Sequence, residues 1–234
     1  MLELAYRADS NSAAREGLWV RVPPAVPGSP GVERPQCVAQ PPDQDVCQQG
    51  PAFSSAYPYL LGIYLGDGVL SAGRRGVWRL RIAMDLRYPR INHRVSSAIL
   101  AVSGHRVGVV RRSGWVEIGS YWKHWICLFP QHGPGAKHLR RIDLTDWQRA
   151  LVLRYPDEFV AGLIHSDGCR CVNRVKGNAY PRYFFTNRSE HIRALFTMAC
   201  GLLGVECRPD GPKNISIARR RSVDVMDLFV GPKD

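Results

Sequence analysis

The sequence lacks any long apolar run. No stretch of its 234 residues approaches the roughly 18 to 20 unbroken apolar residues of a membrane helix, and no basic segment followed by an apolar one opens the chain. A hydrophobic content of 45% is ordinary for a folded core. We therefore expect a folded, cytoplasmic protein that has no membrane partner.

A paired cysteine framework is also missing. The seven cysteines are odd in number and scattered, and the chain is too long to need disulfides for its stability, so reduced thiols are expected. Cys169 and Cys171 form a C-x-C pair, but no second pair or histidine pair stands at zinc-site spacing. The pattern does not favour a zinc site.

Lysine is scarce, because 27 of the 32 basic residues are arginine. The net charge is +12, and residues 57–155 alone carry 16 basic and 5 acidic residues, an excess of 16 − 5 = 11. The planar fork of arginine suits phosphate and guanine edges, so this surplus predicts a nucleic-acid partner. A GC-rich genome, which favours arginine codons, explains the arginine content equally well.

Residues 1–53 offer no periodic apolar face. Residues 22–52 are rich in proline, glycine and glutamine and are predicted to be a linker. The preceding stretch resembles the conceptual translation of a transfer-RNA gene, because residues 20–23 (VRVP) are what one frame of a T-arm would encode. We expect the true start to lie downstream, with a short N-terminal helix as the alternative, and we leave residues 1–53 outside the predicted fold.

From residue 54 onward, the order of predicted elements repeats, with one copy over residues 54–155 and another over 156–234. The first copy has a helix at 56–66, a turn at Gly68, a strand at 77–85, a helix at 89–103 ended by Gly104, strands at 106–112 and 115–128, and a helix at 143–154. The second has a helix from 156, strands at 169–174 and 180–187, a helix at 189–203 ended by Gly204, strands at 205–208 and 213–219, and a helix at 222–229.

The strand at 77–85 alternates cleanly between two kinds of side chain. This pattern predicts one core face and one charged face, and it suggests that a sheet, rather than a recognition helix, meets the partner. The core face is Trp78, Leu80, Ile82 and Met84, and the charged face is Arg79, Arg81 and Asp85.

The helices that open the two copies share a nine-residue pattern. Residues 60–68 read LLGIYLGDG and residues 160–168 read VAGLIHSDG, and the acids lie 167 − 67 = 100 residues apart. The small residues of each helix are four apart on one face, so the two helices can pack backbone to backbone. These interface residues are Gly62, Gly66, Gly162 and Ser166.

Close packing would bring Asp67 and Asp167 together at the helix ends. Each is followed by a glycine able to take the left-handed conformation that ends a helix. A carboxylate there opposes the helix dipole, which suggests an attendant cation, and two neighbouring carboxylates can hold Mg²⁺ (or Mn²⁺) for phosphodiester hydrolysis. Two ordinary helix-ending Asp-Gly turns are the alternative.

The motif pair resembles the L-A-G-L-I-D-A-D-G motifs of single-chain LAGLIDADG (DOD-type) homing endonucleases, over residues 54–233. The resemblance implies an α+β fold of two pseudo-symmetric αββαββα repeats, packed through their motif helices, with the sheets forming a saddle over double-stranded DNA. It also implies a Mg²⁺-dependent endonuclease with Asp67 and Asp167 as metal ligands. The sequence departs at the sixth motif position, where Leu65 and His165 stand, but the family's metal ligand is the later acid.

Further expectations follow from the same resemblance. Intein splicing residues are absent from both ends, so a free-standing protein is expected. The resemblance further implies a bacterial, specifically actinobacterial, protein that is a monomer with an internal pseudo-dimer. A non-catalytic DNA-binding regulator and an RNA-binding splicing helper remain alternatives. His165 is expected to form a hydrogen bond at the helix seam. The candidates for ordering the attacking water are Lys123, Lys137 and Arg220, with Asp85 and Asn187 as polar candidates, and those for DNA contact are Arg79, Arg81, Arg111, Arg112, Arg182, Arg219, Arg220 and Arg221.

Overall fold

Two halves of like architecture follow one another along the chain. The structure is a computed structural model that describes Leu18–Val20, residues 54–231 and Lys233. An edge strand β1 (Leu18–Val20) precedes the first half, which comprises α1 (Ala56–Asp67), β2 (Gly68–Ala72), β3 (Trp78–Asp85), α2 (Pro89–Ser103), β4 (Val107–Arg111), β5 (Trp115–Trp122), α3 (Trp125–Leu128) and α4 (Asp146–Arg154). The second half comprises α5 (Pro156–Asp167), β6 (Gly168–Val175), β7 (Asn178–Thr186), α6 (Glu190–Leu202), β8 (Arg208–Pro209), β9 (Asn214–Ile217) and α7 (Arg220–Asp227). The predicted repeat of αββαββα units is confirmed, with α3 as an addition.

Each half builds one antiparallel sheet. The strand orders are β1-β4-β5-β3-β2 and β6-β7-β9-β8. In β3, the residues predicted for the core face are buried at Leu80, Ile82 and Met84, whereas Arg79 and Arg81 lie on the opposite face. The predicted alternation of this strand is therefore confirmed, and one face of the sheet is left open.

The two opening helices form the centre of the molecule. In α1, every residue from Tyr57 to Leu65 is buried, because this helix packs against its own sheet and also against α5. A helix that is apolar all round is a buried one, which explains the absence of an amphipathic period in its sequence. One hydrophobic core consequently runs through both halves.

The connection between the halves is a single residue. Helix α4 ends at Arg154, helix α5 begins at Pro156, and Tyr155 caps both. Proline suits the first position of a helix, because that position needs no backbone N–H donor.

The glycines after the motif helices depart from prediction. Gly68 has φ −82° and ψ 143°, and Gly168 has φ −111° and ψ 173°, so both are extended rather than left-handed. The chain passes directly from helix into strand at these residues, and the turn predicted at Gly68 is the start of β2. Glycine is still required, because a Cβ would lie 2.6 Å from Tyr64 Cα in one case and 2.8 Å from Ile164 Cα in the other.

Several strands are shorter than predicted, among them β9, which covers Asn214–Ile217 instead of residues 213–219. Strand β5 stops at Trp122 instead of continuing to residue 128, because Trp125 turns into the core, with its ring centroid 5.8 Å from that of Phe129. The strand predicted at 205–208 reduces to β8, since the preceding residues form the turn after α6. Gly204 in that turn has φ +67°, as expected for a glycine that ends a helix.

Three residues of the N-terminal segment belong to a sheet. Strand β1 pairs with β4, with Leu18 opposite Val109, although the sequence placed residues 1–53 outside the fold. The stretch that resembles a transfer-RNA translation otherwise lies outside the described residues, as does the predicted linker. Within the part of the chain that is described, no helix is long and apolar enough to span a membrane.

Candidate active site

The seam between α1 and α5 is a backbone-to-backbone contact. A Cβ at Gly62 would lie 2.6 Å from Phe159 O and 2.8 Å from Leu163 N. A Cβ at Gly162 would lie 3.1 Å from Gly62 Cα and would collide with Tyr59 O. Gly66 and Ser166 meet one turn later along the same seam. The small residues thus let the two helix axes come close enough for their C-terminal ends to share one site.

Asp67 and Asp167 end these helices and line one cleft of about 480 Å³. Burial, and after it the negative charge of Asp167, raise the pKa of Asp67 to about 6, although Lys137 and Lys233 oppose the rise. Burial also raises the pKa of Asp167, against a hydrogen bond from Asn187 and the same two lysines. The two carboxylates therefore stand in one electrostatic environment that disfavours their charged forms.

Lys137 fixes the end of α1. Its Nζ donates to the carbonyl oxygen of Tyr64, and to those of Leu65 and Gly66 at 3.2 Å each. Tyr64 O also accepts from Gly68 N–H, whereas the carbonyls of Leu65 and Gly66 are among those that a helix end leaves without intrahelical donors, and a cation is favoured there by the helix dipole. Burial lowers the pKa of Lys137 to about 8, although Asp67 and Asp167 raise it.

Lys233 occupies the matching place at the end of α5. Its Nζ donates to Ser166 O at 3.4 Å and lies 5.7 Å from the centroid of the Tyr88 ring. Burial lowers its pKa, and Asp67 is the first group that opposes the change. The sequence argument missed this residue. The signal was available, because 137 − 67 = 70 and 233 − 167 = 66 are nearly equal spacings from the two motif acids.

A buried polar network holds the loop that carries Lys137. Gln148, in the first turn of α4, donates to Tyr57 OH at 2.8 Å, and Gln131 donates to Gln148 Oε1 at 2.6 Å and to Asp143 O at 2.8 Å. Arg140 then donates to Gln131 O at 2.9 Å. Gln148 thus joins α4 to α1, Gln131 joins the loop to α4, and the other two contacts brace the loop itself, in which Lys137 begins a short 3₁₀ helix (Lys137–Leu139).

Asn187 completes the second half of the cleft. Its Nδ2 donates to Asp167 Oδ2 at 2.6 Å, and its Oδ1 accepts from Ser189 N at 2.8 Å at the start of α6. The side chain is therefore held from both ends and orients one carboxylate. Thr186 and Arg188 lie on either side of it in the cleft wall.

The two acids have the chemistry of a magnesium site. Mg²⁺ prefers oxygen ligands and commonly takes one or two carboxylates together with waters and substrate phosphates. A pair of neighbouring carboxylates whose pKa values are raised by burial is stabilised by such a cation. Among the described residues, no cluster of three or more histidine, cysteine, aspartate or glutamate side chains could hold a metal.

His165 lies in the seam rather than in the cleft. Its Nδ1 and the hydroxyl of Tyr59 are hydrogen-bonded at 3.0 Å, as expected for a histidine at the helix seam. Burial lowers the pKa of His165 to about 4, so the ring is neutral near neutral pH. The equivalent pair on the other side of the seam is Leu65 and Phe159, which are apolar and buried.

The structure does not bring the other catalytic candidates to the cleft. Lys123 is exposed beyond the end of β5, and Arg220 is exposed at the first position of α7. Asp85 accepts hydrogen bonds from Arg87, of which the shortest is 2.7 Å. Of the five candidates for ordering the water, only Lys137 and Asn187 line the cleft with the two motif acids.

The arginine candidates fall into two groups. Arg79, Arg81 and Arg182 lie on the open sheet faces. The remaining residues are exposed elsewhere: Arg111 pairs with Val116 at the end of β4, Arg112 follows it, Arg219 forms an ion pair with Glu206, and Arg220 and Arg221 begin α7.

Solved structures of other proteins share this architecture. The homing endonuclease I-WcaI, solved bound to its DNA recognition sequence, matches with a TM-score of 0.52 and 14% identity, over 80% of this chain and 85% of that one. This chain has the LAGLIDADG fold. Full-length DUF199/WhiA from Thermatoga maritima matches with a TM-score of 0.48 and 12% identity, over 79% of this chain and 58% of that one. No family model and no curated protein matches the sequence.

Proposed function

We propose that the protein is a DNA endonuclease that hydrolyses phosphodiester bonds of duplex DNA, with Mg²⁺ (or Mn²⁺) held by Asp67 and Asp167. The observation that carries the proposal is the pairing of these two partly buried carboxylates at the ends of α1 and α5, beside Lys137 and Lys233. Two Asp-Gly helix ends with no other role would not need a shared site with two partly buried lysines.

Asp67 and Asp167 would hold a divalent ion, which would supply a polarised water and stabilise the leaving oxygen of the phosphodiester. The chain supplies its ligands and their orientation. Asn187 fixes the direction of the Asp167 carboxylate, and the packed seam prevents either helix end from moving away from the other. The folded protein already holds the two acids side by side, and their mutual repulsion favours the binding of a cation between them.

The two lysines have a role different from that of the metal-binding acids. Each ammonium group is anchored by helix-end carbonyls, so its positive charge stays fixed beside the acids. A fixed cation in a partly buried site favours a phosphate and stabilises negative charge that develops on its oxygens. Lys137, whose pKa is about 8, can also exchange a proton with water near neutral pH.

The open sheet faces supply the DNA surface in this proposal. Arg79, Arg81 and Arg182 project from them, and one chain presents both faces, so a monomer suffices to contact both halves of a target. The likeness to I-WcaI, a homing endonuclease solved with its DNA, supports the choice of partner. The surplus of positive charge supports it as well.

The test is cleavage of a randomised duplex library with Mg²⁺ and sequencing of the cut ends. Asp67→Asn and Asp167→Asn each remove a charged ligand while keeping the side-chain shape, so cleavage should fall by orders of magnitude while DNA binding survives. Asp224→Asn, at an exposed position of α7, is the matched control and should cut like the wild type.

Two outcomes would contradict the proposal. Equal cleavage by the wild type and the Asp67→Asn/Asp167→Asn double variant would remove these acids from the active site. DNA binding without cleavage by the wild type, in both Mg²⁺ and Mn²⁺, would instead indicate a DNA-binding regulator on the same fold.

A further inference from the structure

The open faces of the two sheets can be compared position by position. Gly68, directly after the first motif acid, pairs with Ile82, and Gly168, directly after the second, pairs with Phe185. The residue before each partner, Arg81 or Phe184, therefore occupies the same place relative to its acid. Both side chains point to the open face, because Ile82 and Phe185 are buried against the helices.

A second equivalent pair lies two residues further along these strands. Arg79 of β3 pairs with Ser71, and Arg182 of β7 pairs with Cys171, in each case three residues after the helix-ending glycine. The outer positions of the two faces thus carry the same residue type. The inner position carries an arginine, Arg81, on the first sheet and a phenylalanine, Phe184, on the second.

We propose that the protein reads a target whose two half-sites share guanine at the outer step, contacted by Arg79 and Arg182, but differ at the inner step. Arg81 reads guanine there in one half-site, and Phe184 contacts a thymine methyl in the other. This proposal rests on the proposed function, in that DNA lies along the open sheet faces.

The chemistry of the four side chains supports this assignment. Arginine pairs with O6 and N7 of guanine, whereas an apolar side chain distinguishes thymine by its methyl group. The Nε atoms of Arg81 and Arg182 are buried without a hydrogen-bond partner among the described residues, so any contact with a base falls to the outer nitrogens of each guanidinium. Arg79 is held by Glu117 at 2.5 Å and by the ring of Tyr121, 5.3 Å from its centroid, which reduces the ordering it needs on binding.

Strand geometry also sets the spacing of the two steps. Residues two apart on a strand are separated by about 6.6 Å. Stacked base pairs are about 3.4 Å apart, so the inner and outer steps should be about two base pairs from each other. The inner step lies nearer the cut, because Arg81 and Phe184 are nearer to the motif acids.

The experiment is selection of bound duplexes from a randomised library, in EDTA, by the wild type and by Phe184→Arg. We expect the wild type to select an asymmetric target with a preference of roughly 5- to 150-fold at each read position. In Phe184→Arg, guanine should replace thymine at one inner step, which makes the two half-sites alike. Leu228→Arg adds the same charge at an exposed position after α7 and should select the wild-type target.

Failure of this inference is distinguishable from failure of the proposed function. Bound DNA with identical inner bases in the wild-type selection, or an unchanged target in Phe184→Arg, would overturn the assignment while leaving DNA binding intact. Bound DNA without any base preference would overturn it in the same way. No retention of duplex DNA at low salt would overturn the proposed function itself, and this assignment with it.

Discussion

Substitution of Gly162 by alanine tests the seam on which the site depends. The new Cβ would contact Tyr59 O and would lie 3.1 Å from both Gly62 Cα and Ile63 N. These are backbone atoms of α1, so they cannot rotate away as a side chain would. Overpacking of this kind costs about 1–3 kcal/mol, and the higher helix propensity of alanine offsets about 1 kcal/mol of it. The net loss of stability should therefore reach about 2 kcal/mol.

Gly201 supplies the matched control, because it is also a helical glycine but no atom lies within 4 Å of its would-be Cβ. Gly201→Ala should thus be neutral or stabilising by up to about 1 kcal/mol. Urea unfolding of both variants in EDTA, compared at equal m-values, measures the difference. If Gly162→Ala proves as stable as Gly201→Ala, the two helices are not in backbone contact and the shared site is misplaced.

Three further predictions concern charge and the N-terminal segment. The logarithm of DNA affinity should fall by about 0.9 per phosphate contact for each unit of log salt, so a slope near zero in a binding titration would contradict the arginine surface. Asp67→Asn should stabilise the metal-free protein above pH 6. The pKa of Asp67 in the folded protein, about 6, exceeds its ordinary value of 3.8, so the free energy of unfolding of the wild type falls as pH rises from 4 to 6. Urea unfolding at pH 4 and pH 7.5 should show an advantage of about 1–3 kcal/mol only at the higher pH, and an equal effect at both would refute the burial argument. Deletion of residues 1–50 should leave the circular dichroism spectrum and DNA binding intact, because β4 keeps β5 as its neighbour, and collapse of the truncated protein would show that β1 is essential.

The elements that the sequence predicted well are those set by local rules. Helix α2 spans residues 89–103 as predicted, because proline starts it and Gly104, with φ +68°, ends it. The alternation in β3 likewise needed only a period of two. Strand β2 was missed because its five residues follow the motif helix without a turn and gain strand geometry only by pairing with β3.

The sequence predicted the part of the site that follows from the repeated motif. The motif repeat gave Asp67 and Asp167, but the hydrogen bond between Gln148 and Tyr57 joins residues 91 apart in sequence, and no local pattern announces it. Lys137 lies in the loop that this network braces. Lys233 was hidden for a different reason, since only a comparison of spacings from the two acids would have paired it with Lys137.

The single-residue junction at Tyr155 makes the association of the two halves intramolecular. A short tether of this kind gives an effective concentration on the order of millimolar or above, so the seam stays closed even if its intrinsic affinity is modest. Two separate halves would instead have to meet the loss of translational and rotational freedom, which costs about 4–15 kcal/mol. The continuous chain between Arg154 and Pro156 thus helps to keep the two carboxylates side by side.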